Sequence, residues 1–263
     1  MHVREVLRRL GETTSGQWGL VTVAQADAVG VSRLWLSRLA AEGLVERVAQ
    51  GVYRDTGAPA DRFDGLRVAF IATNPVITAG ERVRLPVPDA VVSGAVAAYL
   101  HGVGDLVPEP YEFTVPRRRK TRRDGIVLKS RQLTRADVTR REGLPVTTIE
   151  RTIADLVGAW TDLSLVGGVV RDAAHVEAAQ MAGLLAPFAA RYGLRRGDGT
   201  GLWGELERLG GRDSQTMAEA IAAGPLGPLV AASLAHRDAM SVGGSIVTTG
   251  DGDSNADDYG REG

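Results

Sequence analysis

The sequence predicts an α+β protein: an amino-terminal winged helix-turn-helix followed by a mixed α/β domain that ends in a helical region. Three patterns carry this expectation. Residues 19–54 read as a short helix, a glycine turn, a second helix and a tight β-hairpin. Short β-branched or alternating runs at 91–92, 111–115 and 126–129 read as strands, set beside helical stretches at 61–73 and 94–101. Beyond residue 147, Ala and Leu recur at helical spacing to about Leu234. With 263 residues the chain is long enough for two ordinary domains.

Val3, Leu7 and Leu10 recur as one face of a first helix that packs beneath the motif. Thr22 is placed to cap a helix over 23–29, which Gly30 ends with a left-handed turn. Ser32 then caps a helix running to about Glu42. Leu36 and Leu39, with Val31 and Leu44, face the core, leaving Ser32, Arg33, Trp35, Ser37 and Arg38 on the outer side. In a helix-turn-helix this outer, amino-terminal side meets base edges in the major groove. Arg33 and Arg38 are therefore candidates for guanine or phosphate contact. Trp35 has two readings, stacking on a sugar or thymine methyl, or covering a neighbouring helix.

Residues 46–48 and 52–54 pair across Ala49-Gln50-Gly51 as a wing. Arg47 and Arg54 at its base are expected to meet backbone phosphate, with Gln50 at the tip near a minor groove. Charge alone does not demand DNA here, because seven basic residues stand against six acidic ones up to Asp55. A winged helix used only for protein contacts fits the same pattern.

In the second region Phe63, Leu66, Phe70 and Ile71 line an amphipathic helix over 61–73. Ser93 caps a small-residue helix that ends at Leu100-His101-Gly102. The strands at 111–115 and 126–129 suggest a hairpin whose loop is the basic run 116–125. Thr147 and Glu150 have capping-box spacing, opening a helix that carries Ile149, Ile153, Leu156 and Val157 on one face. The tail from Gly243, rich in Gly, Asp, Ser and Thr, is expected to be disordered.

Net charge is −1, but it is segregated. Residues 117–141 hold eleven basic side chains against Asp124 and Asp137, a surplus of nine. From Asp213 onward eight acids face Arg237 and Arg261, a deficit of six. A positive surplus this dense repels itself unless a polyanion lies close, although a solvated hairpin tip is the plainer reading.

Several chemistries are set aside. Absence of cysteine excludes disulfides and cysteine-ligated metal, and suits a reducing cytoplasm. Arg4, Glu5, Arg8 and Arg9 leave no secretory signal at the start. The longest uncharged stretch, 220–236, is broken by Gly224, Pro225, Gly227 and Pro228, so no membrane span is expected. His2, His101, His175 and His236 lack metal-ligand spacing, and no metal or cofactor is expected. Residues 199–204 match a three-glycine dinucleotide pattern, but they follow a loop and no βαβ unit surrounds them. Lys120 and Lys129 are the only lysines, and neither has the acid two residues earlier that a nuclease site wants. No catalytic residue is assigned. Arg151 and Asp155 lie one helical turn apart and are read as a pair, with contact to a partner protein as the functional alternative.

The ordered landmarks Gly-Leu-Val-Thr at 19–22, Gly-Val-Ser-Arg at 30–33 and Gly-Val-Tyr-Arg at 51–54 continue through Ser93…Leu100-His101-Gly102. They run on through Thr114-Val115-Pro116-Arg117-Arg118-Arg119 to Leu144-Pro145-Val146-Thr147-Thr148…Arg151-Thr152-Ile153-Ala154-Asp155-Leu156. Over about residues 1–190 this order resembles the AbiEi family, antitoxins of type IV toxin–antitoxin and abortive-infection systems. The resemblance implies a bifunctional protein, which the residues themselves lead us to expect to be non-enzymatic and cytoplasmic. Its winged helix would bind inverted repeats in operator DNA and repress its own operon, an arrangement that admits a homodimer on DNA. Its second domain would neutralise a nucleotidyltransferase-like toxin. Ser32, Arg33 and Arg38 then fall on the recognition helix, and Arg117, Arg118, Arg119 and Lys120 on a basic segment that adds DNA contact. The division expected is a winged helix at 1–57, an α+β antitoxin domain at 58–190, a helical extension at 191–242 and the tail at 243–263. The alternative is a stand-alone winged-helix regulator whose second domain senses a ligand or dimerises.

Overall fold

Apolar side chains at helical spacing close the amino-terminal module around its own core. The helices α1 (Val3–Thr14), α2 (Val23–Ala28) and α3 (Arg33–Ala41) bring Val6, Leu10, Ala26, Leu36 and Leu39 together with Val31 and Tyr53. A capping box opens α2: the Thr22 hydroxyl accepts from Gln25 N–H at 3.1 Å, and the Gln25 side chain accepts from Thr22 N–H at 3.0 Å. Gly30, at φ +76°, ends α2 as expected. Ser32 stands at the start of α3 with extended backbone, but its hydroxyl makes no capping bond and stays at the surface. The wing is a three-stranded antiparallel sheet. β1 (Leu20–Thr22), β2 (Val45–Ala49) and β3 (Val52–Asp55) lie in the order β1-β3-β2, with a bulge between Arg47 and Ala49.

The computed structural model describes residues 2–173 and 175–211. The expected helices out to about Leu234, the expected disordered tail and the acidic surplus beyond Asp213 lie outside them. These described residues form one compact unit.

After the wing come α4 (Asp64–Thr73), α5 (Ala79–Arg84), β4 (Val91–Val92) and α6 (Gly94–His101). α4 begins three residues later than its apolar pattern suggests, because the Asp61 carboxylate accepts from Phe63 N–H at 2.8 Å and holds a turn there. β5 (Tyr111–Val115), β6 (Ile126–Ser130), β7 (Val138–Arg141) and β8 (Leu144–Thr147) complete a mixed sheet in the order β6-β5-β4-β8-β7.

One expectation is overturned in this sheet. β5 and β6 run parallel, with Tyr111 opposite Ile126 and Val115 opposite Ser130. Residues 116–125 are therefore not a hairpin loop but a crossover that returns the chain to the start of β5. A five-residue strand is about 17 Å long, a span ten residues cover easily, whereas hairpin loops ordinarily need about two to five.

The central core joins wing and sheet. Leu20 and Val52 pack with Phe63, Phe70, Val92, Phe113 and Val146. Polar contacts fix the same junction: Gln17 Oε1 accepts from Ala79 N–H at 3.0 Å, and Gln25 Nε2 donates to the Ile77 carbonyl at 3.0 Å. Two buried hydrogen-bonded glutamines leave little freedom for the module to swing.

A second core forms from α7 (Ile149–Gly158), α8 (Leu163–Asp172), α9 (Ala178–Leu185) and α10 (Gly199–Leu209), through Ile153, Val157, Val169, Met181, Leu185 and Leu202. The cap of α7 is Thr148, whose hydroxyl accepts from Arg151 N–H at 3.3 Å. Thr147 instead ends β8, buried, with its hydroxyl 2.7 Å from that of Thr152. The strand claims Thr147 first, so the capping-box spacing to Glu150 is off by one. The three-glycine stretch is a packing device. A Cβ on Gly199 would lie 1.8 Å from the Ala182 carbonyl oxygen, so only glycine lets α10 meet α9. Asp198 already accepts from Gly201 N–H at 2.8 Å, which fills the helix end a phosphate would need.

Candidate nucleic-acid interface

Three separate segments meet in one groove of about 580 Å3. Arg33 comes from the start of α3, Gln50 from the wing tip, and Arg119, Lys120, Arg122 and Arg123 from the crossover, with Ala72 and Thr73 of α4 as part of its floor. The basic residues are brought to the helix-turn-helix by the parallel return of the chain, a placement that a hairpin would not give.

Two contacts hold the crossover there. Arg123 Nη1 donates to the Gln50 carbonyl at 3.0 Å, tying the segment to the wing tip. Arg119 donates to the Asp89 carbonyl at 3.3 Å, and the Asp89 carboxylate is itself fixed from below. Asn74 donates to it at 2.8 Å and Arg82 Nε at 2.6 Å. Arg82 is wholly buried, with its guanidinium 3.9 Å from the Phe70 ring centre. It also donates to the Phe70 carbonyl and the Thr73 hydroxyl at 2.7 Å each. Burial pushes its pKa down and Asp89 opposes that shift. An arginine stays charged even so, and Arg82 acts as a strut between the core and the groove.

On α3 the side chains of Ser32, Arg33, Ser37 and Arg38 are exposed, as their spacing predicts. Leu34, which sequence reasoning passed over, is 61% exposed on the same helix. Trp35 is half-buried against the amino-terminal core, and the Arg38 guanidinium lies 5.4 Å from its ring centre. That arrangement meets the covering reading and also steadies Arg38. Arg47 and Gln50 are exposed. Arg54 differs: it donates to Glu46 and Asp64 at 2.6 Å each, and hydrogen bonding to Glu46 raises its pKa. Its charge is spent within the fold.

The basic run does not act as one patch. Arg117, Arg118 and Lys120 are exposed and Arg119 half-buried, but Arg117 and Arg118 do not line the groove. Arg122 and Arg123, counted in the charge surplus but not singled out, do. Arg131 turns inward to the Asp155 carboxylate. Arg151 joins it there, its Nε 2.7 Å from Asp155 Oδ1, and burial pushes both arginine pKa values down. Arg135 and Arg140 reach the Val138 and Val83 carbonyls on another face. Arg33, Arg38, Arg47, Lys120 and Arg122 form no ion pair among the described residues.

His101 lies 2.7 Å from the Thr147 carbonyl through Nε2, and burial pushes its pKa down. This makes it a half-buried polar link between α6 and β8. Among the described residues no cluster of three His, Asp or Glu side chains is arranged to hold a metal ion. Among them, too, no helix is long and apolar enough to cross a membrane.

Residues 8–54 match the family described as "Transcriptional regulator, AbiEi antitoxin". The likeness is therefore confined to the amino-terminal module. The matched span runs from α1 through β3, covering the helix-turn-helix and its wing and stopping before the basic crossover. The description is that of a regulatory family rather than of an enzyme. A comparison with curated proteins finds no match. Among solved structures, the RV2827C protein from Mycobacterium tuberculosis is similar over 84% of this chain and 82% of that chain, at 14% identity and a TM-score of 0.47.

Proposed function

We propose that the chain is a type IV antitoxin that represses its own operon and neutralises a nucleotidyltransferase-like toxin. The observation that carries the DNA half is the groove shared by Arg33, Gln50 and the crossover cations. In this reading α3 enters the major groove. Arg33 and Arg38 read guanine or grip phosphate, Ser32 and Ser37 add hydrogen bonds, and Leu34 meets a thymine methyl. Gln50 reaches towards the minor groove, Arg47 meets phosphate, and Arg117, Arg118, Lys120 and Arg122 follow the backbone beside it. Inverted repeats would seat two copies of the chain, one per half-site.

The toxin half rests on the family resemblance of the landmarks in 93–156 and on the AbiEi match of the module before them. Residues 1–57 would read the operator and residues 58–190 would serve neutralisation. The stand-alone regulator is favoured by one observation, an apolar hollow beside the wing, taken up below. Growth decides between the two. The full chain is co-expressed with the protein encoded immediately downstream, and growth is scored against that protein alone. Rescue is expected, also from the Arg33→Ala, Arg38→Ala double variant that no longer represses. An innocuous downstream protein, or toxicity that persists beside soluble chain, would defeat the antitoxin reading.

A further inference from the structure

Beside the wing lies a second hollow, lined quite differently from the groove. Its volume is about 680 Å3, inside the range of about 300–1,000 Å3 typical of small-molecule sites. Val68 and Ala69 of α4, Ile126 of β6, and Val107 and Pro110 supply apolar walls. Val107 is 73% exposed, an apolar side chain left open to water. The Tyr111 ring also lines the hollow, and Gly65 leaves the room its hydroxyl takes: a Cβ there would sit 2.6 Å from Oη. That hydroxyl has no hydrogen-bond partner among the described residues. The exposed carboxylates of Glu109 and Asp124 complete the lining, against the single cation Arg123.

We infer that this hollow binds a small apolar molecule carrying a hydrogen-bond-donating nitrogen, and that occupancy is transmitted to the wing through Arg123. The apolar walls suit an aromatic body. Two carboxylates and a free phenolic oxygen suit a donor nitrogen and oppose an anion. Transmission follows from shared residues: Arg123, Ile126 and Ala72 line both this hollow and the groove. A molecule seated in the hollow meets Arg123, and Arg123 is what ties the crossover to the Gln50 carbonyl. Binding stands independently of the operator reading; transmission rests on it.

The probe is N-phenyl-1-naphthylamine, whose fluorescence rises in apolar surroundings, titrated against the full chain. One saturable site per chain is expected. Its sulfonated analogue, 1-anilinonaphthalene-8-sulfonate, should bind about tenfold more weakly, a difference of about 1.4 kcal/mol. Val68→Trp, with an unchanged unfolding midpoint, should abolish binding. If that variant unfolds early, Tyr111→Phe replaces it, with about a tenfold loss expected from the missing hydroxyl. Non-saturable fluorescence, or saturable binding untouched by whichever of the two variants is used, would overturn the site. Promoter DNA is then titrated with and without saturating amine, and a loss of about fivefold or more is expected, the lower end of ordinary allosteric couplings. Unchanged DNA affinity with the amine bound would overturn the transmission. Absence of any promoter binding would sink the operator reading and the transmission with it, while leaving the site standing.

Discussion

Lys120 and Arg122 line the groove without an acidic partner, whereas Arg54 spends its charge on Glu46 and Asp64. Salt dependence separates the two kinds of cation. Each phosphate a cation neutralises adds about −0.9 to the slope of log affinity against log salt. The double variant Lys120→Gln, Arg122→Gln should therefore flatten the slope on duplex DNA by about 1.8. Between 50 and 200 mM salt the native chain should lose about tenfold more affinity than the variant. Arg54→Gln should leave the slope where it is, although it removes one formal charge too. The assay is fluorescence anisotropy on one labelled duplex across four salt concentrations, each variant first checked for a native unfolding midpoint. A double variant with the native slope would refute the placement of the crossover against DNA. A flattened slope for Arg54→Gln would show that its ion pairs open on binding.

Other expectations concern the frame that holds the groove. Arg82→Met takes the guanidinium away from Asp89, the Phe70 carbonyl and the Thr73 hydroxyl, and leaves the Asp89 carboxylate with Asn74 but without its buried countercharge. Removing one member of a buried pair costs about 3–5 kcal/mol. The lower end applies because Asp89 remains partly in water, so a loss under about 1 kcal/mol in urea unfolding would contradict the strut. His101 supplies a pH test. Burial holds its pKa below the ordinary value, so below about pH 6.5 the unfolded chain takes up a proton that the fold refuses. Stability should be full above pH 6.5 and fall as pH drops towards the folded pKa, by at most about 1.4 kcal/mol per pH unit for one proton. His101→Gln should lose this component; identical profiles for native chain and variant would exclude it. Glu5 behaves as an acid of the opposite kind. Hydrogen bonds from Arg8 and Arg9 lower its pKa to about 2, so its contribution is full above the ordinary glutamate pKa of 4.5 and is lost progressively as pH falls from there towards 2. Glu5→Gln should leave stability unchanged relative to the native chain at pH 2 and lower it at pH 7.

The winged helix was legible because its determinants are local. Thr22 and Gln25 cap within one turn, Gly30 stops the helix, and Leu36 and Leu39 are spaced for burial. What the sequence hides is set by partners distant along the chain. The parallel pairing of β5 with β6 follows from no residue of 116–125, since basic turns serve hairpins and crossovers alike. Arg54 reads as a free cation until α4 brings Asp64 to it. Thr147 and Thr148 both offer a capping hydroxyl, and strand pairing alone decides which is used. Arg122 and Arg123 become site residues only through the contact with Gln50, 73 positions earlier. One clue was available: ten residues is long for a hairpin loop, and that length pointed to a crossover.

In the proposed function α3, the wing tip and the crossover form one operator-reading surface. This reading is tested most directly by binding of the full chain to a fragment of its own promoter, against a scrambled duplex of equal length at fixed salt. A protected inverted repeat and a clear preference over the scrambled duplex are expected. Arg33→Ala or Arg38→Ala should reduce that preference by about 1–3 kcal/mol for each base-reading contact. Equal affinity for both duplexes, or full preference retained in both variants, would contradict it.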